Sequence, residues 1–293
     1  MGLLDKVKSL FQNDRLDVSA RFELERQSIS GTMSKFRVAH EIATGQKVGI
    51  KFLDEEKSEY FESRFRGLKK PSEGEIALSI QHPRVVETHE HGLTTTGQKY
   101  IVMQYLEGPG LHIVIQNRDS QLEGKRLALI RQMAEAVEAV HSAGYIHRDI
   151  CPRNFICARD LSSLTLIDFG LTLPDKKDFR QPGNRTGTPL YMAPEIIRRR
   201  WTDKRVDIFA LGITAYRVCA FKHPWGGADT TGMAALAHDT KKPAALLELA
   251  PQLNKTLAEA IEQCMSPAAN DRPSSAAEFL RNISRVKDEV EPV

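Results

Sequence analysis

The octapeptide HRDICPRN, residues 147–154, sets an acid (Asp149), a cation (Arg153) and an amide (Asn154) close together. The stretch LIDFGL adds a second acid, Asp168, at the end of a strand-like run. Such groups suit transfer of a phosphoryl group, which asks little covalent work of a protein. Phosphates must be positioned, metal ions held and a hydroxyl nucleophile oriented. Asp149 can accept the proton of that hydroxyl, and Asn154 and Asp168 offer hard oxygen ligands suited to Mg2+. Between them stands Cys151, whose thiol brings no positive charge.

The elements that must position these residues fall into two regions. Between Phe22 and Leu53, RFELER, KFRVAH and KVGIKFL read as strands separated by the turn signals SGT and ATGQ, which predicts an antiparallel meander. After the charged stretch 54–70, Pro71 introduces SEGEIALSI, where Ile76, Ala77 and Ile80 recur at helical spacing. RVVETHEHG and QKYIVMQYL read as further strands, and EGPG as a linker. Beyond Gly110 the pattern turns helical. Leu127, Ile130, Met133, Ala134, Val137 and Val140 line one stripe of a helix that Gly144 ends. FICA and LTLID bracket a hairpin, and DKRVDIFALGITAYRVC, LNKTLAEAIEQCM and SSAAEFLRNIS complete a helical region. The expected fold class is α+β: a small antiparallel sheet with one main helix, hinged to a larger, mostly helical lobe, with the cleft between them as the default ligand site.

Composition narrows the function classes. The 293 residues carry 41 Lys+Arg against 38 Asp+Glu, a net +3 that is too small to imply a nucleic-acid partner. Cys151, Cys157, Cys219 and Cys264 form no CxxC pair, so free thiols in a reducing compartment are expected and no zinc site. There is no apolar run of the roughly 20 residues that a membrane helix needs, and no signal-peptide pattern; a cytoplasmic location is the expectation. In MGLLDKVKSLF, Leu3, Leu4, Val7, Leu10 and Phe11 share a helical face, which marks 1–21 as an amphipathic extension that packs on a neighbour. Gly2 invites myristoylation, but Lys6 stands where the acceptor motif wants Ser or Thr. Nothing in the sequence sets the oligomeric state.

Taken in order, VGIK (48–51), HRDICPRN, DFG (168–170), GTPLYMAPE (187–195), VDIFALG (206–212) and DRP (271–273) resemble the signature set of the eukaryotic-type serine/threonine protein kinases. The minimal loops are consistent with a bacterial member. The resemblance covers roughly 22–288 and implies an N-lobe over 22–106, a C-lobe over 107–288 and a short tail at 289–293. It implies ATP and Mg2+ as cofactors and a protein Ser or Thr hydroxyl as acceptor. In this reading Lys51 holds the α and β phosphates and pairs with a helix glutamate, Glu73 by its interval to Pro83, with Glu75 as the alternative. Met103 is the gatekeeper and Gln104, Tyr105 and Leu106 are the hinge beside adenine. Asp149 is the base, Asn154 and Asp168 hold the metal, and Thr188 contacts Asp149. Glu195 is expected to pair with Arg272, and Asp207 to anchor the catalytic-loop backbone. Singly, each of these would be an ordinary surface charge or core polar group; the ordered set reverses that.

The chain departs from the family in three places. At the glycine-rich loop it has Ile29, Gly31 and Ser34, so only the middle glycine remains. Phe36 stands where a valine usually covers the adenine, and Gly49 where an alanine does, a small expected loss of packing. Cys151 replaces the lysine that contacts the γ-phosphate, and Arg153, placed as in some tyrosine kinases, is the candidate replacement cation. Arg148 suggests control by a phosphorylated loop, for which Thr186 is the acceptor apart from Thr188, with Asp175 and Asp178 as alternative anions. The competing reading is a pseudokinase or scaffolding module; a metabolite kinase normally lacks the APE segment.

Overall fold

The computed structural model describes residues 15–30, 34–183, 185–226 and 234–290; the apolar face at 3–11 and Gly31 lie outside them. The chain divides into two compact units, one within Met1–Gln81 and Val86–Leu106, the other within His82–Val85 and Glu107–Val293.

The first unit is built on a six-stranded sheet. Its elements are β1 (Arg15–Leu16), helix α1 (Val18–Arg21), β2 (Phe22–Ser30), β3 (Ser34–Glu41), β4 (Lys47–Leu53), α2 (Glu55–Glu62), α3 (Glu73–Ser79), β5 (Thr88–Thr94) and β6 (Lys99–Gln104). The strands run in the order β1-β5-β6-β4-β3-β2. The expected meander is present, with Phe36 opposite Lys51 and Val38 opposite Gly49. Residues 15–16 belong to this sheet, and 18–21 form the helix that leads into β2. β1 pairs parallel to β5, and Leu16 is buried with Phe22, Ala39, Val48, Ile50, Tyr100 and Val102. Arg21 locks the corner by donating to Glu41 at 2.9 Å and to Glu90 at 2.8 Å.

The charged stretch after β4 forms a helix that hydropathy periodicity alone does not reveal. The Asp54 carboxylate accepts from Lys57 N to start α2, which buries Phe61 against the edge of Phe65. Helix α3 begins directly after Pro71. Ser72 caps it and Glu75 returns the bond to Ser72 N at 2.7 Å, a capping box.

The second unit is mostly helical: α4 (Leu111–Gln116), α5 (Arg126–Ser142), β7 (Tyr145–Ile146), β8 (Phe155–Cys157), β9 (Leu164–Leu166), β10 (Leu173–Pro174), α6 (Pro194–Ile197), α7 (Arg205–Ala220), α8 (Leu246–Leu249), α9 (Lys255–Cys264) and α10 (Ala276–Asn282). The predicted stripe of α5, from Leu127 to Val140, is buried. Helix α7 is buried on nearly every side, as its apolar sequence requires. The β8–β9 hairpin and the β7–β10 pair hold the intervening loops. A buried ion pair closes the unit: Arg272 donates to Glu195 at 2.7 and 2.9 Å and its remaining N–H groups reach the carbonyls of Arg205, Ser266 and Pro267. Among the described residues no helix is long and apolar enough to cross a membrane.

Candidate active site

In the first unit Lys51 lies on β4, 6% exposed, and its ammonium donates to Glu73 Oε1. The choice between Glu73 and Glu75 is decided by capping. Glu75 is consumed by Ser72, whereas Glu73, the first residue of α3, turns towards the sheet. The helix lies close to β5 because position 74 is glycine; a Cβ there would sit 2.3 Å from the His91 ring. Phe36 and Gly49 are neighbours across β3 and β4. A Cβ at position 49 would meet Phe36 Cζ at 2.5 Å and Met103 Cγ at 3.4 Å. The expected loss of packing at Gly49 is therefore corrected, because the Phe36 ring occupies the space that a methyl group would take. Met103 is opposite Gly49 across the β4–β6 pair, Gln104 is exposed, Tyr105 carries the Lys47 ammonium 4.4 Å from its ring centre, and Leu106 ends the unit.

In the second unit the catalytic loop hangs from Asp207 of α7. This carboxylate, 1% exposed, accepts from His147 N and Arg148 N at 2.8 Å each, and from the His141 ring at 2.9 Å. Burial alone would raise its pKa, but the hydrogen bonds and charge of His141 hold it below the ordinary carboxylate value. The anchor holds Arg148 at a φ of 70°. His147 stays in the interior, edge-on to Phe169 at 5.5 Å, and its Nδ1 accepts from Asp149 N at 3.2 Å. Asp149 is thereby aimed: Oδ1 accepts from Thr188 N at 2.8 Å and Thr188 Oγ1 at 2.7 Å, and Oδ2 accepts from Asn154 Nδ2 at 3.0 Å. Asn154 Nδ2 also donates to the Asp149 carbonyl at 2.7 Å, so Oδ1 is the side-chain atom left to face a cation. Asp168, exposed at a φ of 70°, accepts from Gly170 N at 3.0 Å. Ile167 N donates to the Asn154 carbonyl at 2.8 Å, which ties the two candidate metal ligands together through backbone. An exposed carboxylate and an amide oxygen fit Mg2+, which binds through one or two protein oxygens with phosphates and water completing its shell.

The segment that reaches Asp149 turns at Gly187, whose φ of 124° favours glycine and whose Cβ would lie 2.7 Å from the Arg148 carbonyl. Cys151 is 1% exposed, its sulfur 3.7 Å from Thr188 Oγ1. Burial and the Asp149 charge push its thiol up to about 12, so it is neutral at physiological pH. Arg153 is exposed in the turn Pro152–Asn154, while Asp175 is engaged by Arg180 at 2.8 Å.

A model of the protein kinase domain matches residues 22–283. The chain belongs to the protein kinase family. It is 30% identical over 91% of its length to the serine/threonine-protein kinase pkn2 of Myxococcus xanthus, and 26% identical over 93% to pkn3 of the same organism. It is also 27% identical over 86% to the mouse hormonally up-regulated neu tumor-associated kinase. The kinase-like chain covers 32%, 51% and 32% of those three proteins, well under two thirds of each. The family uses ATP and Mg2+.

Within this kinase domain the structure brings Asp149, Asn154 and Thr188 into one hydrogen-bonded group, and Lys51 and Glu73 into another. The motifs do not flag the close approach at Gly74, nor Arg217, whose partner Tyr191 lies within GTPLYMAPE. Glycine beside a capping residue was the only available signal for the first.

Proposed function

We propose that the protein is an ATP-dependent serine/threonine protein kinase that transfers the γ-phosphoryl group to a protein hydroxyl. The observation that carries this reading is the orientation of the Asp149 carboxylate by Thr188 and Asn154. Asp149 takes the proton of the acceptor hydroxyl as its oxygen bonds to the γ-phosphorus and the bond to the β-bridging oxygen breaks, leaving ADP. Lys51, kept in place by Glu73, holds the α and β phosphates, and Asn154 and Asp168 hold Mg2+. Mg2+, when bound, neutralises charge that builds up on the phosphate oxygens. Phe36, Gly49 and Met103 enclose the adenine, with the backbone of Gln104 to Leu106 as its hydrogen-bonding edge. The buried, neutral Cys151 supplies no cation; Arg153 takes that role.

Labelled ATP and a panel of basic and acidic acceptor proteins test the reading. Asp149→Asn should lower transfer by about 10²- to 10⁴-fold and leave nucleotide binding intact. Arg153→Ala should lower turnover by about 10²-fold with little change in ATP affinity. A scaffolding module without transfer, the rival reading, draws its support from Cys151; it predicts no difference between wild type and Asp149→Asn.

A further inference from the structure

Among the described residues, two arginines at the catalytic loop have no salt bridge to a carboxylate. Arg217, on α7, donates to the Tyr191 hydroxyl and its guanidinium carbon is 6.0 Å from the Tyr191 ring centre. That partner is neutral, and Arg217 Nε is buried without any hydrogen-bond partner. Tyr191 ends the turn that starts directly after Thr188, and it lines one pocket with Asp149, Arg148 and Thr188. Arg153 projects from the turn that contains Asn154, and α4, which carries His112, packs on that turn. The charges of both arginines are felt at His112 and at Tyr191, and both help to lower the basicity of His112, though burial is the larger cause. His112 Nδ1 is likewise buried and unpartnered. Among the described residues no carboxylate forms a salt bridge with Arg153 or Arg217, whereas Arg84, Arg126, Arg180, Arg205 and Arg272 of this unit each have one and Arg131 is met by two backbone carbonyls.

A half-buried guanidinium with only a phenol for company has unmet demand for an anion. Both arginines lie close to Tyr191, which lines one pocket with Asp149, so a polypeptide that reaches Asp149 comes near them. We propose that Arg153 and Arg217, with His112, form a substrate-recognition subsite for an anionic side chain, carboxylate or phosphate, within a few residues of the acceptor. This rests on the kinase reading and names its substrate class: protein segments acidic or already phosphorylated close to the target Ser or Thr.

The test is peptide binding without transfer. Fluorescently labelled peptides share one sequence in which the acceptor is alanine, and Glu, phosphoserine, Ala or Lys is scanned through the flanking positions. Anisotropy with the full chain should show at least one position where Glu or phosphoserine tightens binding by about tenfold over Ala and Lys weakens it. Which anion binds tighter identifies whether carboxylate or phosphate is read. Arg153→Glu, at an exposed site that leaves the core untouched, should reverse the preference. Arg217→Lys should keep it in part and Arg217→Gln lose it, with thermal melting verifying that each is folded. Equal binding of Glu, Ala and Lys peptides, a preference for Lys, no measurable binding, or an anion preference that survives Arg153→Glu overturns the proposal. Restoring serine separates the two readings: anion-selective binding without transfer leaves the subsite standing and removes the kinase activity.

Discussion

At the scale of single residues, the Lys51 and Glu73 pair is the clearest case of a charge held for a purpose. Their side chains are 7% and 11% exposed, so each depends on the other for the hydration it has lost. Removing one takes from the second a buried partner of opposite charge. Glu73→Gln and Lys51→Met should each destabilise the fold by about 3 kcal/mol, and the double variant should lose less than the sum. Urea unfolding of all four proteins measures this. The cysteines give a second prediction at this scale. Cys151, Cys157 and Cys219 are pushed up to about 12, chiefly by burial, and Cys264 is raised in the same direction. Iodoacetamide at pH 8 should therefore leave the native protein unlabelled and modify all four only in denaturant, as read by intact mass.

At the scale of elements, the sheet of the first unit adapts to an altered pair rather than to either residue alone. Gly49 and Phe36 are complementary because the ring fills the volume next to the glycine. Gly49→Ala should force the ring from its place and cost about 1–3 kcal/mol, while Phe36→Val combined with Gly49→Ala should recover most of it. Melting temperatures of wild type, both single variants and the double variant decide the matter; an uncoupled pair would show simple additivity. The same element logic explains how Glu73 and Glu75 came to different tasks. The capping box takes the residue at the third position of α3 and leaves the first free to turn inward.

At the scale of the whole molecule, histidines set the response to acid. Burial lowers His238 to about 4, and His147, His223 and His112 shift the same way. The Nδ1–H of His238 donates to the Met192 carbonyl at 2.8 Å, so protonation would place a charge on a buried, unpartnered Nε2. The folded chain refuses a proton that the unfolded chain accepts below the ordinary histidine value of 6.5. Stability is therefore fully present above that pH and falls as pH drops from 6.5 towards 4. Urea midpoints measured across this window should decline with pH, and His238→Asn should make the decline shallower. Asp207 acts in the same direction at lower pH: its lowered pKa stabilises the fold above 3.8 and that contribution is lost as pH falls below it.

Much of this was legible from sequence because the signals are local. Alternation in 22–53, the stripe of α5 and the turn chemistry of ATGQ dictate elements through neighbours along the chain, and the ordered motifs identify which acids and amides carry chemistry. Helix α2 escaped because its start depends on a cap and its apolar face on two phenylalanines, too little for periodicity. What only the tertiary structure decided is pairing through space. It assigned Glu73 rather than Glu75 to Lys51, filled the space over Gly49 with Phe36, and left Arg153 and Arg217 close to one turn without a carboxylate. Those outcomes depend on distances between residues far apart in the chain, which hydropathy and spacing do not encode.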